Sequence, residues 1–195
     1  MNKYLLLLAL SLLSFCAFAQ NQEEDPDVLY AQTLLKPGAQ APDFQLKDID
    51  GKAYSLKDFR KDYVVLIFWA SWCPDCRAEL PELRAMAAKY AGKKVRFVNI
   101  SFDRSLEKLQ AFAAENELVG VQLFDPSGKK ESKVCADYGV QWIPSLFLIA
   151  PDGRILKGTV VAERIDAALA KVLDFEENAV LKERPKEARP DQILR

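Results

Sequence analysis

Histidine is missing from all 195 residues of this chain. Its absence removes the commonest general base, the histidine-activated serine and cysteine nucleophiles, and the commonest metal ligand. A basic excess is missing too: 27 Lys and Arg face 28 Asp and Glu, so nucleic acid or an anionic membrane surface has no electrostatic reason to bind. No internal repeat or low-complexity tract interrupts the chain. Cysteine is scarce, at four.

What is present is a globular composition. Half the residues are apolar and 28% are charged, enough for one domain with a core of its own. The longest apolar run lies at the start. Lys3 precedes an apolar stretch over residues 4–18 that only Ser11 and Ser14 interrupt, and Ala17-Phe18-Ala19 supplies a small-x-small cleavage pattern. Residues 1–19 read as a secretory signal, with the mature chain starting near Gln20 in an exported, periplasmic setting. The run is short for a membrane span. An uncleaved anchor and a lipoprotein start at Cys16 are the alternatives, and Phe15 fits the second poorly. Export sets Cys16 aside and leaves Cys73, Cys76 and Cys135: one close pair and one cysteine over, a pattern for chemistry rather than stapling.

Residues 20–36, polar and then mixed, read as a weakly ordered lead-in. Asp48-Ile49-Asp50-Gly51-Lys52 is a turn between two short extended pieces, a small hairpin. The continuous apolar, β-branched and aromatic run over residues 63–70 predicts a strand buried on both faces. A helix is expected over about 74–90, with Leu80, Leu83, Met86, Ala87 and Tyr90 on one face. Pro81 inside it frees the carbonyl of Arg77 and predicts a kink. A strand over 93–100, a helix through Leu106, Leu109 and Phe112, a short strand over 121–124 and a short helix over 130–138 follow. A strand over 145–150 turns at Pro151-Asp152-Gly153 into a returning strand over 154–156. The last helix is expected over 162–173, and residues 174–195, charged and carrying Pro185 and Pro190, read as a disordered tail. The order of elements predicts an α/β fold with a mixed central sheet.

Trp72-Cys73-Pro74-Asp75-Cys76 falls where the buried strand ends and a helix begins. The first turn of a helix leaves backbone N–H groups free and carries positive partial charge, so a thiolate at Cys73 is stabilised there and becomes the nucleophile. Cys76, three residues on, faces the same way and can attack a mixed disulfide to release the product. Pro74 suits the first helical position. A zinc site would need four ligands, and one further cysteine without histidine cannot complete it, so no metal is expected. A merely structural disulfide remains the other reading of the pair.

The stretch from Val65 through Trp69-Ala70-Ser71-Trp72-Cys73-Pro74-Asp75-Cys76, joined by Trp142-Ile143-Pro144-Ser145 ahead of an apolar strand, resembles the thioredoxin superfamily. Ala41-Pro42-Asp43-Phe44, Glu79-Leu80-Pro81 and Pro151-Asp152-Gly153-Arg154 are similar to its exported branch around the TlpA and ResA proteins. The likeness covers residues 37–173. It implies a thioredoxin fold with helices on both faces of the mixed sheet and an N-terminal β-hairpin extension. It implies a cis peptide at Ile143-Pro144 beside Cys73, and an acidic residue, Glu79, serving the proton of Cys76; a solvated helix carboxylate is the bland alternative for Glu79. Trp72 and Trp142 would flank the sulfurs. Cytoplasmic thioredoxins carry a buried Asp where this chain has Ile67, so proton handling must come from elsewhere. Asp75 between the cysteines opposes a thiolate by like charge and favours a reducing pair. Cys135 reads as a buried hydrophobe, with a regulatory thiol as the sharper alternative.

The implied activity is an exported thiol–disulfide oxidoreductase, a reductase of disulfides in exported proteins, with cytochrome c maturation as one client pathway. Its substrate would be a disulfide-containing exported protein. Its redox group would be the Cys73–Cys76 pair without a bound cofactor, and its electrons would come from a membrane donor of the CcdA or DsbD type. A peroxiredoxin-like peroxide reductase, suggested by Ala41-Pro42-Asp43-Phe44, and a binding module without turnover are the competing classes.

Overall fold

A computed structural model describes residues 24–183; the segment read as a secretory signal, Cys16 included, lies outside them. Seven strands form one mixed sheet in the order β2-β1-β5-β4-β3-β6-β7. They are β1 (Gln45–Asp48), β2 (Ala53–Ser55), β3 (Tyr63–Trp69), β4 (Val95–Ser101), β5 (Val121–Phe124), β6 (Ser145–Ile149) and β7 (Ile155–Thr159). β3, β4 and β5 are parallel, while β6 and β7 on one side and β1 and β2 on the other are antiparallel. The helices are α1 (Pro26–Tyr30), α2 (Pro74–Ala78), α3 (Leu80–Lys89), α4 (Leu106–Glu115), α5 (Gly128–Glu131), α6 (Lys133–Tyr138) and α7 (Ala162–Glu183).

All seven residues of β3 are buried, as an apolar run without polar alternation requires of a central strand. Its side chains alternate between the two faces. Val64, Leu66 and Phe68 join a core with Phe147, Tyr138 and Leu34. Val65, Ile67 and Trp69 join the opposite core with Leu83 and Met86 of α3, Leu109 of α4 and Ile165 and Leu169 of α7. The sheet is therefore covered on both sides, and the loop that leads to Cys73 sits at the C-terminal end of β3, an interior strand.

Three of the expected helices change. The helix over 74–90 is two helices: Pro81 has no N–H to return to Arg77, the first helix ends at Ala78, and Glu79 stands at the junction with backbone N–H on the Asp75 carbonyl at 3.3 Å. The last helix does not stop at residue 173 but runs to Glu183, so the first ten residues of the expected tail are helical; the Tyr63 hydroxyl donates to Glu176 at 2.6 Å. The short helix over 130–138 divides at Ser132, whose hydroxyl caps α6 by accepting from the Cys135 N–H at 3.0 Å.

The lead-in, expected to be weakly ordered, is fastened from residue 25 onward. Leu34 is buried, the Leu35 N–H reaches the Tyr138 carbonyl at 3.2 Å, and the Thr33 hydroxyl donates to the Gly139 carbonyl at 2.7 Å. Gly139 takes a left-handed φ of 69°, and a Cβ there would lie 2.0 Å from the Thr33 carbonyl oxygen, so both turn and contact require glycine. Asp27 is the chief fastening. Its carboxylate accepts from the Thr159 hydroxyl at 2.7 Å, the Val160 N–H at 2.9 Å and the Arg164 guanidinium at 2.6 Å. Burial alone would raise its pKa; the Val160 N–H, the Thr159 hydroxyl and Arg164 outweigh that and hold it below the usual carboxylate range. A depressed folded-state pKa adds stability above the unfolded-state value, about 3.9, and loses it as pH falls through the folded-state value. Asp27→Asn is expected to cost about 1–2 kcal/mol at neutral pH, a charged hydrogen-bond set discounted for partial solvent access. In denaturant melts followed against pH, that cost should shrink in acid; a difference from the parent that stays constant down to the acid end would refute the assignment.

Candidate active site

Cys73 closes the loop after β3 and caps α2. Its backbone is extended (φ −83°, ψ 118°), its sulfur accepts from the Cys76 N–H at 3.3 Å, and Pro74 occupies the first helical turn. The thiols are free, and both are buried, Cys76 more deeply (2% exposed) than Cys73 (5%). Burial pushes the Cys76 thiol well above the ordinary range, and the neighbouring Cys73 sulfur and Asp75 carboxylate push the same way. The pair is asymmetric: the more accessible sulfur stands at a helix start and accepts a backbone N–H, and the deeper one holds its proton until something removes it.

Opposite the sulfurs lies the 142–145 loop. The Ile143–Pro144 bond is cis, and the Cys73 thiol donates to the Ile143 carbonyl at 3.5 Å. Trp72 and Trp142 are both about half exposed. The Trp72 indole N–H donates to the Phe102 carbonyl at 3.2 Å, whereas Trp142 meets Tyr30 edge-on, ring centroids 5.0 Å apart. Asp75 is exposed. Glu79, half buried at the α2–α3 junction, accepts from the Ala162 N–H at the start of α7 at 3.2 Å. Burial raises its pKa, that N–H opposes the rise, and Glu163 and Glu82 add to it.

Two openings meet at Glu79. One is a groove of about 320 Å³ lined by Pro26, Tyr30, Asp75, Glu79, Trp142, Ile143, Pro144, Val160 and Val161. The other is a small internal cavity of about 10 Å³ beneath Cys76, to which Trp69, Asn99 and Gln122 also contribute. Among the described residues no three His, Cys, Asp or Glu side chains come together to hold a metal ion.

Several of these residues were not foreseen. Asp103, buried just past β4, accepts from the Ser71 hydroxyl at 2.6 Å, the Ser71 N–H at 3.2 Å and the Ser101 hydroxyl at 2.7 Å, and so pins the loop that carries the cysteines. Its place at the C-terminal end of a parallel strand, where open α/β sheets carry their sites, was the available signal. Tyr30 had no such signal, because only the fastening of α1 brings it to the groove. Cys135 is buried among the core of the other sheet face, and burial pushes its thiol up to about 11.

A mixed sheet flanked by helices, with two cysteines at the start of a helix facing a cis-proline loop, is the arrangement of a thiol–disulfide oxidoreductase of the thioredoxin fold. Residues 37–157 match the AhpC/TSA family, and the chain belongs to it. It is 31% identical over 141 residues, 71% of this chain and 79% of the relative, to the thiol-disulfide oxidoreductase ResA of Bacillus thuringiensis subsp. konkukian. It is 37% identical over 123 residues, 62% of this chain and 69% of the relative, to the thioredoxin-like protein YneN of Bacillus subtilis. Among solved structures, the thioredoxin domain of a thiol-disulfide oxidoreductase from Bacteroides vulgatus superposes with a TM-score of 0.65 at 26% identity, covering 71% of this chain and 98% of that one.

Proposed function

We propose that the protein is an exported reductase of disulfides in extracytoplasmic proteins. The observation that carries this reading is the asymmetric pair: Cys73 at a helix start beside the cis-proline loop, with Cys76 deeper and its thiol protonated. In the first step the Cys73 thiolate attacks one sulfur of a substrate disulfide. A Cys73–substrate disulfide forms and the other substrate sulfur leaves as a thiolate. Cys76 then gives up its proton and attacks Cys73; the Cys73–Cys76 bond forms and the second substrate thiol departs. The substrate has gained two electrons and the enzyme has lost them. Glu79, which lines the same small cavity as Cys76, is the base that receives this proton. The redox group is the cysteine pair itself, without a bound cofactor. Regeneration calls for a dithiol donor on the membrane, of the CcdA or DsbD type, and apocytochrome disulfides in cytochrome c maturation are one client class.

Asp75 sets the direction. Its carboxylate beside a developing thiolate disfavours the dithiolate form and makes the couple more reducing. Equilibration with a dithiothreitol buffer is expected to place the Cys73–Cys76 couple near or below about −230 mV, and Asp75→His is expected to raise it. A value near about −120 mV would instead assign disulfide formation.

The family match and the Ala41-Pro42-Asp43-Phe44 opening favour a second reading, reduction of peroxides. Asp43 in that opening is spent on structure, accepting from the Leu56 N–H at 3.1 Å and pairing with Lys57 at 2.8 Å. Peroxide consumption faster than reduction of a protein disulfide under the same thiol supply would make it the primary activity.

A further inference from the structure

The small cavity beneath Cys76 holds an unbalanced set of polar atoms. Among the described residues, two buried side-chain polar atoms have no hydrogen-bond partner within the protein: the Trp69 indole N–H and the Gln122 Oε1. Both residues line this one cavity, together with Cys76 and Glu79. One is a donor and the other an acceptor. Trp69 is 3% exposed and Gln122 is 7% exposed, so bulk solvent does not serve either atom.

The placement follows from sheet register. Gln122 of β5 lies across from Asn99 of β4, Asn99 from Ile67 of β3, and Ile67 from Leu146 of β6. These four form one row running under the active loop. The β4 and β5 positions of that row carry amides where its β3 and β6 positions are apolar. The Asn99 amide donates to the Val119 carbonyl at 2.7 Å, and the Gln122 amide to the same carbonyl at 2.8 Å. Those bonds turn the Gln122 nitrogen toward the 119–121 backbone and leave its oxygen over. Buried polar atoms in folded proteins nearly always find a partner, and a polar cavity of roughly 10–15 Å³ with two or more polar partners is what one water needs. This cavity, at about 10 Å³, meets both conditions.

We infer that the cavity beneath Cys76 is a binding site for a single ordered water, donated to by the Trp69 indole N–H and donating to Gln122 Oε1, and that this water carries the proton between Cys76 and Glu79. The inference rests on the thiol–disulfide cycle proposed above and adds its proton route. In the second step the Cys76 S–H proton passes to the water as the Cys76–Cys73 bond forms, and a water proton passes to the Glu79 carboxylate. The substrate sulfur leaves as the thiolate and takes its proton from solvent. Glu79, which also lines the open groove, returns the acquired proton there. Trp69 and Gln122 are positioning residues: they hold the water and touch no reacting sulfur in this scheme.

Reaction of the reduced protein with dithiobisnitrobenzoate separates the steps, since attack by Cys73 releases one thionitrobenzoate and attack by Cys76 on the mixed disulfide releases the second. In Gln122→Leu the first release is expected to keep its rate. The second should slow by about 10- to 100-fold, at or below the low end of what positioned proton transfer contributes, with its pH profile displaced to higher pH. Gln122→Glu, which keeps an oxygen acceptor, should restore most of the rate. An unchanged second-phase pH profile in a folded Gln122→Leu protein overturns the inference. Should that variant fail to fold, the parent decides: magnetisation transfer from a long-lived water to the Trp69 indole proton is expected in the reduced protein, and its absence rejects the site. If the parent never releases a second thionitrobenzoate, the oxidoreductase reading fails, and failure at the water site alone looks different.

Discussion

Cys76→Ser should capture one equivalent of a disulfide substrate and then stop. Cys73 in that variant keeps its helix start, its backbone geometry and the Cys76-position N–H that now stands at 3.3 Å from its sulfur. Attack on the substrate therefore proceeds, but no sulfur follows at the position that resolves the mixed disulfide. Intact-mass measurement should show the protein plus one substrate thiol, released by dithiothreitol. Cys73→Ser should show neither adduct nor turnover, with activity down by several orders of magnitude, the scale on which losing a covalent nucleophile lowers turnover. Cys135 does not rescue either variant: it is 3% exposed and its thiol is held in the protonated form at neutral pH. A stable adduct on Cys73→Ser, with Cys76→Ser unreactive, would reverse the order of the two cysteines.

Glu79→Gln should move activity and stability in opposite directions. The carboxylate must be ionised to take the Cys76 proton, so the resolving step of the parent should fall as pH drops through the raised Glu79 pKa. In the variant that acid limb disappears and the step should be slower across the range, by about a hundredfold, a modest value for general base catalysis. Stability follows the other sign. A carboxyl whose pKa is higher folded than unfolded favours the fold when protonated; that contribution is full below the unfolded-state value and is lost as pH rises through the folded-state value. The glutamine variant should therefore melt above the parent at neutral pH and converge with it in acid. Glutamine keeps the acceptor for the Ala162 N–H. A variant that loses stability at pH 7 would mark Glu79 as a structural cap instead.

The parts legible in the sequence were those whose signal is local. Residues 63–70 announced a central strand because eight consecutive apolar side chains leave no solvent face, and Pro74 after Cys73 announced a helix start. What escaped depended on partners far along the chain. Asp27 and Thr159 meet across 132 positions, so a charged segment that looked loose is fastened. The extension of α7 past residue 173 escaped for a different reason. Once a helix is docked by Ile165 and Leu169, each added residue costs little, and a charged stretch can continue it without an inward face. At the site itself, Cys73, Cys76, Ile143 and Pro144 were visible as motifs. Gln122 and Trp69 were not, since nothing but strand register reveals that they share a cavity.

The groove beside the sulfurs is assembled from two kinds of chain. Asp75, Glu79, Trp142 and Pro144 lie within the stretch that matches the family, residues 37–157, whereas Pro26, Tyr30, Val160 and Val161 lie outside it. The outer wall is held on by Asp27 and Arg164, themselves both outside that stretch. The outer wall thus hangs on one charged clasp remote in the chain from the cysteines, so loss of that clasp would reshape what can dock beside the sulfurs without altering the sulfurs themselves.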